Sequence, residues 1–130
     1  MEMELFSSIH TRSNGNSQFA AVILNKEALL FTEHFPNYPT LPGALILSVV
    51  VKLANQFLVE NKLDRFFLFQ VVKVSFQKRI TPEYELKIVC KYEIQEKQAI
   101  MQHEFSVIDG KEDNVEFVRG RLLYKKMEDI

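Results

Sequence analysis

Glu33-His34-Phe35-Pro36-Asn37-Tyr38-Pro39-Thr40-Leu41-Pro42-Gly43 runs directly into Ala44-Leu45-Ile46-Leu47-Ser48-Val49-Val50-Val51. The first part sets a histidine on a turn with three prolines in seven positions. Each proline fixes φ and removes a backbone donor, so the turn is stiff. Gly43, after Pro42, lets backbone approach a neighbour closely where the next element begins. That element extends from Ala44 to Glu60, seventeen residues. Val49-Val50-Val51 has strand propensity, but the length far exceeds the usual five or six residues of a strand and predicts a helix. Apolar residues occupy every face of its first half, so the helix is expected to be buried all round there. Asn55, Gln56 and Glu60 bring its second half to the surface.

Strand signals flank this helix. Ser13-Asn14-Gly15-Asn16 reads as a turn, which places the start of the first strand near Ser17 and the strand itself over Phe19 to Leu24. Asn25-Lys26 reads as the turn that ends it. Downstream, Val72, Val74 and Phe76 alternate with Lys73, Ser75 and Gln77, and Leu86, Ile88, Cys90, Tyr92 and Ile94 alternate with mostly polar neighbours. Period two is the mark of a sheet with one buried face. Met101 to Ile108 and Val115 to Tyr124 are weaker versions, joined by a turn from Asp109-Gly110 to Asn114. The expected order is strand, helix, four strands: an α+β arrangement in which a sheet wraps one buried helix.

Composition narrows the function. The chain has 130 residues, the size of one domain spanning 1–130, and 47% hydrophobic content, enough for a core. A net charge of −1 argues against a nucleic-acid partner, which selects a basic excess. The single cysteine, Cys90, excludes an internal disulfide and fits a reducing compartment. Its place in a strand reads as a small apolar core residue rather than a nucleophile. Met1 to Arg12 shows no leader pattern. The longest apolar stretch, Ala44 to Val51, is interrupted by Ser48 and stopped by Lys52, too short to span a bilayer. No membrane role and a cytoplasmic location are expected. His10, His34 and His103 have no metal-ligand spacing, and no P-loop, dinucleotide fingerprint or Ser-His-Asp signature is present.

The pattern H-F-P-x-x-P-x-x-P-G before an apolar helix resembles the 3-hydroxyacyl-[acyl-carrier-protein] dehydratases of the FabA/FabZ type, which have the hotdog fold. Phe67 to Pro82, an apolar strand and then Phe76-Gln77-Lys78-Arg79-Ile80-Thr81-Pro82, is similar to the family's third-strand region. The likeness covers roughly Phe19 to Tyr124. It implies action on acyl thioesters, in fatty acid or related acyl-chain biosynthesis, by a dimer whose sites are built across two subunits. It implies no metal or organic cofactor. His34 would be the base that takes the α-proton, a role that suits imidazole because its pKa lies near working pH. The backbone N–H of Gly43 would hold the thioester carbonyl, helped by the helix dipole. Phe35, Pro42 and Lys52 would contact substrate. The Phe67 to Phe76 strand would lie at the subunit interface.

This sequence departs from the family's pattern in several places. The family's acidic residue lies fourteen positions after the histidine, and here that position is Ser48. The glutamine four residues later is replaced by Lys52, the glycine before the histidine by Glu33, and the P-G-D turn by Pro82-Glu83-Tyr84. Serine is too weak an acid to protonate a leaving hydroxide, and loss of a general acid typically costs about 10²- to 10⁴-fold. Lys52, one helical turn on, would either donate a proton or extend to solvent. A second, acid-bearing hotdog chain would complete the His34 site in a heterodimer. Three readings follow: a dehydratase of 3-hydroxyacyl thioesters on carrier protein or coenzyme A, a non-catalytic or half-catalytic acyl-binding subunit, and an acyl thioesterase with Glu33 or Glu60 as its carboxylate. Lys78, Arg79, Arg119, Arg121, Lys125 and Lys126 read either as a solvated face or as a surface for an acidic carrier protein.

Overall fold

The computed structural model describes residues 6–25, 28, 40–63, 65–112 and 114–127, without the side chains of residues 7 and 8. The elements in chain order are β1 (Phe6–Asn14), β2 (Ser17–Leu24), α1 (Gly43–Glu60), β3 (Phe66–Phe76), β4 (Glu85–Gln95), β5 (Ile100–Asp109) and β6 (Glu116–Lys126). The six strands form one antiparallel sheet in the order β1-β2-β4-β5-β6-β3.

The helix begins where proline and glycine allow it. Pro42 is the N-cap at φ −61° and ψ 141°, and its side chain makes no capping hydrogen bond. The helix ends in a Schellman closure: Leu63 N–H donates to Leu58 O (2.7 Å) and Lys62 N–H to Val59 O (3.2 Å), with Lys62 in the left-handed region at φ 57°. Ile46, Val49, Val50, Leu53, Ala54, Phe57 and Leu58 form the buried face of α1. They pack on the inward residues of the sheet, Leu86, Ile88, Cys90 and Tyr92 of β4, Met101, Phe105 and Val107 of β5, and Phe117, Leu122 and Tyr124 of β6. Length and mean hydropathy alone would let α1 cross a membrane, and its buried face accounts for that apolarity as a core helix.

Three expectations change. The chain has a strand before Ser17: β1 pairs with β2 through the Asn14–Ser17 hairpin, with Gly15 at φ 60° in the turn. The first half of the helix is not buried all round, because Ala44 and Ser48 are exposed and continue through Lys52, Asn55 and Val59 as a stripe at three- and four-residue spacing, while the second half reaches the surface at Asn55, Gln56 and Glu60 as expected. The third strand shows no single buried face. β3 pairs only with β6 and is an edge among the described strands, so Phe67, Leu68, Phe69, Val71, Val72 and Phe76 all remain exposed. The remaining strands match the alternation, with inward residues buried on β4, β5 and β6.

Candidate functional site

Thr40, Leu41 and Pro42 lead into α1 beside the segment that leaves β3. Leu41 N–H donates to Ile80 O at 2.8 Å, and Gln77 N–H donates to Phe117 O at 2.8 Å. These bonds hold the helix N-terminus against the end of β3. Between them lies a cavity of about 400 Å³. Its apolar lining is Leu41, Pro42, Ile46, Phe76, Ile80 and Val118, and its polar lining is Thr40, Gln77, Lys78 and Arg79, with Gly43 at the start of the helix. This described lining holds two cations and no carboxylate.

Gly43 is there for space. A Cβ on it would stand 2.5 Å from Phe76 Cε1 and 2.6 Å from Cζ, inside contact distance. Only glycine lets the Phe76 ring lie against the first turn. The first N–H groups of α1 lie at the positive end of the helix dipole, suited to a carbonyl that gains negative charge.

The structure separates the expected site residues. Pro42 and Gly43 line the cavity. Ser48 and Lys52 are exposed on the other side of α1 and do not line it. The buried Ile46 faces the cavity instead. Within one chain Ser48 therefore does not meet the cavity at Gly43. His34 and Phe35 lie outside the described residues, as do Glu33 and Lys26.

Other polar residues fall into place. Cys90 is fully buried on β4, and burial pushes its thiol up to about 12. His103 is fully buried on β5, and desolvation lowers it to about 3. On the outer face, Glu116 accepts from Gln77 Nε2 (2.5 Å) and Arg119 Nε (2.8 Å), and Arg121 lies 3.5 Å from Glu104. The hydrogen bonds from Gln77, Arg119 and Ser106, with the Arg119 charge, outweigh desolvation and hold the Glu116 carboxyl below its ordinary value. Two of the basic residues singled out in the sequence, Arg119 and Arg121, are thus already paired. Gln77 and Phe76 were missed as site residues. They are more than thirty positions downstream of Gly43, and their contact with it arises from the fold alone.

Relatives by sequence and by shape agree with this architecture. The 3-hydroxyacyl-[acyl-carrier-protein] dehydratase FabZ of Streptococcus agalactiae serotype V is 30% identical over 84 residues, 62% of this chain and 60% of that protein. FabZ of Streptococcus suis is 34% identical over 65 residues, 48% of this chain and 46% of that protein. The chain thus spans about half to three-fifths of the curated relatives it matches. Among solved structures, the dehydratase heterocomplex ApeI:P from Xenorhabdus doucetiae superposes with TM-score 0.67 at 19% identity, covering 90% of this chain and 95% of that one. A hypothetical thioesterase with coenzyme A from Streptococcus pneumoniae superposes with TM-score 0.72 at 5% identity, covering 96% and 90%. These likenesses show the hotdog fold. A family model described as ApeI dehydratase, ApeI-like, matches residues 10–121, and the chain therefore belongs to the ApeI-like dehydratase family.

Proposed function

We propose that this chain supplies one half of a dehydratase site for 3-hydroxyacyl thioesters, and that a second, acid-bearing hotdog chain supplies the other half. The observation that carries the reading is the N-terminus of α1 at Gly43, on a cavity of about 400 Å³ whose described lining contains no carboxylate. His34, on the proline-rich turn, takes the proton from the carbon next to the thioester. Charge moves onto the thioester oxygen, where the Gly43 N–H and the helix dipole hold it. The hydroxyl on the third carbon then leaves as water, which requires a proton. Ser48 does not supply it, because a hydroxyl is too weak an acid. In the family the acid comes from the other subunit. The uncovered β3, whose Phe76 lines the cavity, is where a partner would bring one. The Xenorhabdus relative, named a dehydratase heterocomplex, supports assembly from two different chains. The thioester is carried on acyl carrier protein or coenzyme A, in fatty acid or related acyl-chain biosynthesis, within the cytoplasm.

The test incubates the chain alone, and mixed with an acid-bearing hotdog chain, with 3-hydroxyacyl and saturated acyl thioesters. The mixture is expected to eliminate water, and the chain alone to be slower by about 10²- to 10⁴-fold. Release of thiol from the saturated substrate would make it a thioesterase instead. Acyl binding with no turnover in any mixture would make it a binding subunit.

A further inference from the structure

A row of polar side chains crosses the inner face of the sheet, unused by the proposed reaction. Gln18 on β2, Cys90 and Tyr92 on β4, His103 on β5 and Tyr124 on β6 are all buried. The Tyr92 hydroxyl donates to Gln18 Oε1 at 2.7 Å. Both ring nitrogens of His103, the Gln18 amide nitrogen and the Tyr124 hydroxyl have no hydrogen-bond partner among the described residues. The Tyr92 ring stacks on Phe57 of α1 at 3.9 Å and 10°, and the His103 ring lies 4.5 Å from Tyr92 on its other neighbour strand. His103 is therefore part of the aromatic layer that seats α1 on the sheet. The stacking distances are those of a filled core, which admits a proton more readily than a ligand.

Among the described residues, nothing in that layer compensates a charged imidazole. From β4 it is faced by the Tyr92 ring, with the Cys90 thiol in the same layer; from β6 by Tyr124 at 6.2 Å, and along β5 by Phe105 at 5.9 Å. Gln18 adds an amide from β2, and α1 contributes Phe57. Burial raises the Cys90 thiol and both phenols, so each is uncharged at and below neutral pH. An unpaired buried charge is among the most destabilising features a core can hold.

We infer that His103 makes the seating of α1 on the sheet acid-sensitive: the helix lifts with uptake of one proton by this ring. Because α1 begins at Gly43, lifting also dismantles the cavity at its N-terminus. The sign follows from linkage. Folded His103 is lowered from 6.5 to about 3, whereas in the opened chain it regains its ordinary value. The opened state binds more protons as pH falls through 6.5. Stability is complete above that value and drops by about tenfold in the folding constant per pH unit on the way down to about 3.

Native-state hydrogen exchange tests this independently of any catalytic role. Opening constants for the amides of Val50, Leu53, Ala54 and Phe57 would be measured at pH 7 and pH 5.5, in wild type and His103→Phe. The wild-type constants are expected to rise about tenfold more than those of the variant. An equal rise in both proteins overturns the inference, as does faster exchange that spares α1. Should His103→Phe not fold, the His103 ring proton resonance in wild type decides. It is expected to stay constant from pH 7.5 to the onset of unfolding, and titration near pH 6.5 in the folded protein overturns the inference.

Discussion

At the scale of single residues, two glycines meet different obstacles. A Cβ on Gly43 would strike the tip of the Phe76 ring, which is 55% exposed and has room to swing. A Cβ on Gly120 would strike the buried Phe105 ring at 2.6 Å and the Lys73 backbone oxygen at 2.9 Å, and neither has room to retreat. Gly120→Ala is therefore expected to destabilise by about 1–3 kcal/mol, the usual scale of overpacking. Gly43→Ala should cost less than about 1 kcal/mol. Urea unfolding ranks the two, and the reverse order would contradict the packing. In the dehydratase assay the order inverts: Gly43→Ala displaces whatever lies on the first N–H groups of α1, and misplacement of that size lowers turnover by about 10²-fold. Ser48 is exposed, so Ser48→Glu should leave stability within about 0.5 kcal/mol. If the missing acid limits the reaction, that variant raises turnover by the chain alone, and His34→Ala removes it. Cys90 gives a simpler check. Its buried, protonated thiol should resist alkylation at pH 8 until the protein unfolds, so rapid modification of folded protein would show an opening that the structure lacks.

At the scale of elements, β3 is the outlier. It exposes six large apolar side chains, a patch that a monomer rarely leaves uncovered. It is also an unpaired edge, and such edges recruit other strands. Val71→Lys, at a position 51% exposed in the single chain, is expected to leave the unfolding midpoint of dilute protein unchanged while lowering its sedimentation coefficient at micromolar concentration. Loss of the fold instead would mean that Val71 supports the core of its own chain. The elements also show what the sequence discloses. α1 was legible because no strand is so long, and β4, β5 and β6 because inward and outward residues alternate. The burial of His103 comes from the structure, where it shares strand parity with Met101, Phe105 and Val107. β1 was not legible: an edge strand reading Phe6-Ser7-Ser8-Ile9-His10-Thr11-Arg12 has too few apolar residues to show a period. The exposed stripe on α1 was hidden for the opposite reason. Ser48, Lys52 and Asn55 mark it as polar positions, but Ala44 and Val59 are apolar, and the apolar residues around the first half hide which face a single chain leaves exposed. The site was half legible. Pro42 and Gly43 were singled out and line the cavity, while Phe76 and Gln77 reach it only through tertiary contact.

At the scale of the whole molecule, the proposed function has a second chain cover β3, and the question is whether that chain is identical or different. A stable interface buries on the order of 1,200–2,000 Å², and pairing across the β3 edge with burial of its six exposed apolar residues contributes in the same way whether the partner is identical or merely similar. Backbone pairing and apolar burial therefore do not distinguish a homodimer from a heterodimer; the chemistry does. A homodimer would place Ser48 opposite His34 at both sites, leaving each without a strong acid. A heterodimer with an acid-bearing chain would hold one complete site. This difference has a stoichiometric signature. The acid-bearing partner would first be disabled by replacing its own turn histidine with alanine, so that its homodimer is silent. The two chains would then be mixed at constant total concentration and varying ratio. The expected dehydratase rate is near zero at both ends and greatest at equal amounts, because only the mixed dimer joins His34 to a carboxylate. A rate that rises in proportion to this chain and peaks when it is alone would show that its homodimer finds a proton donor of its own. Lys52→Ala would then identify whether that donor is the ammonium one turn beyond Ser48.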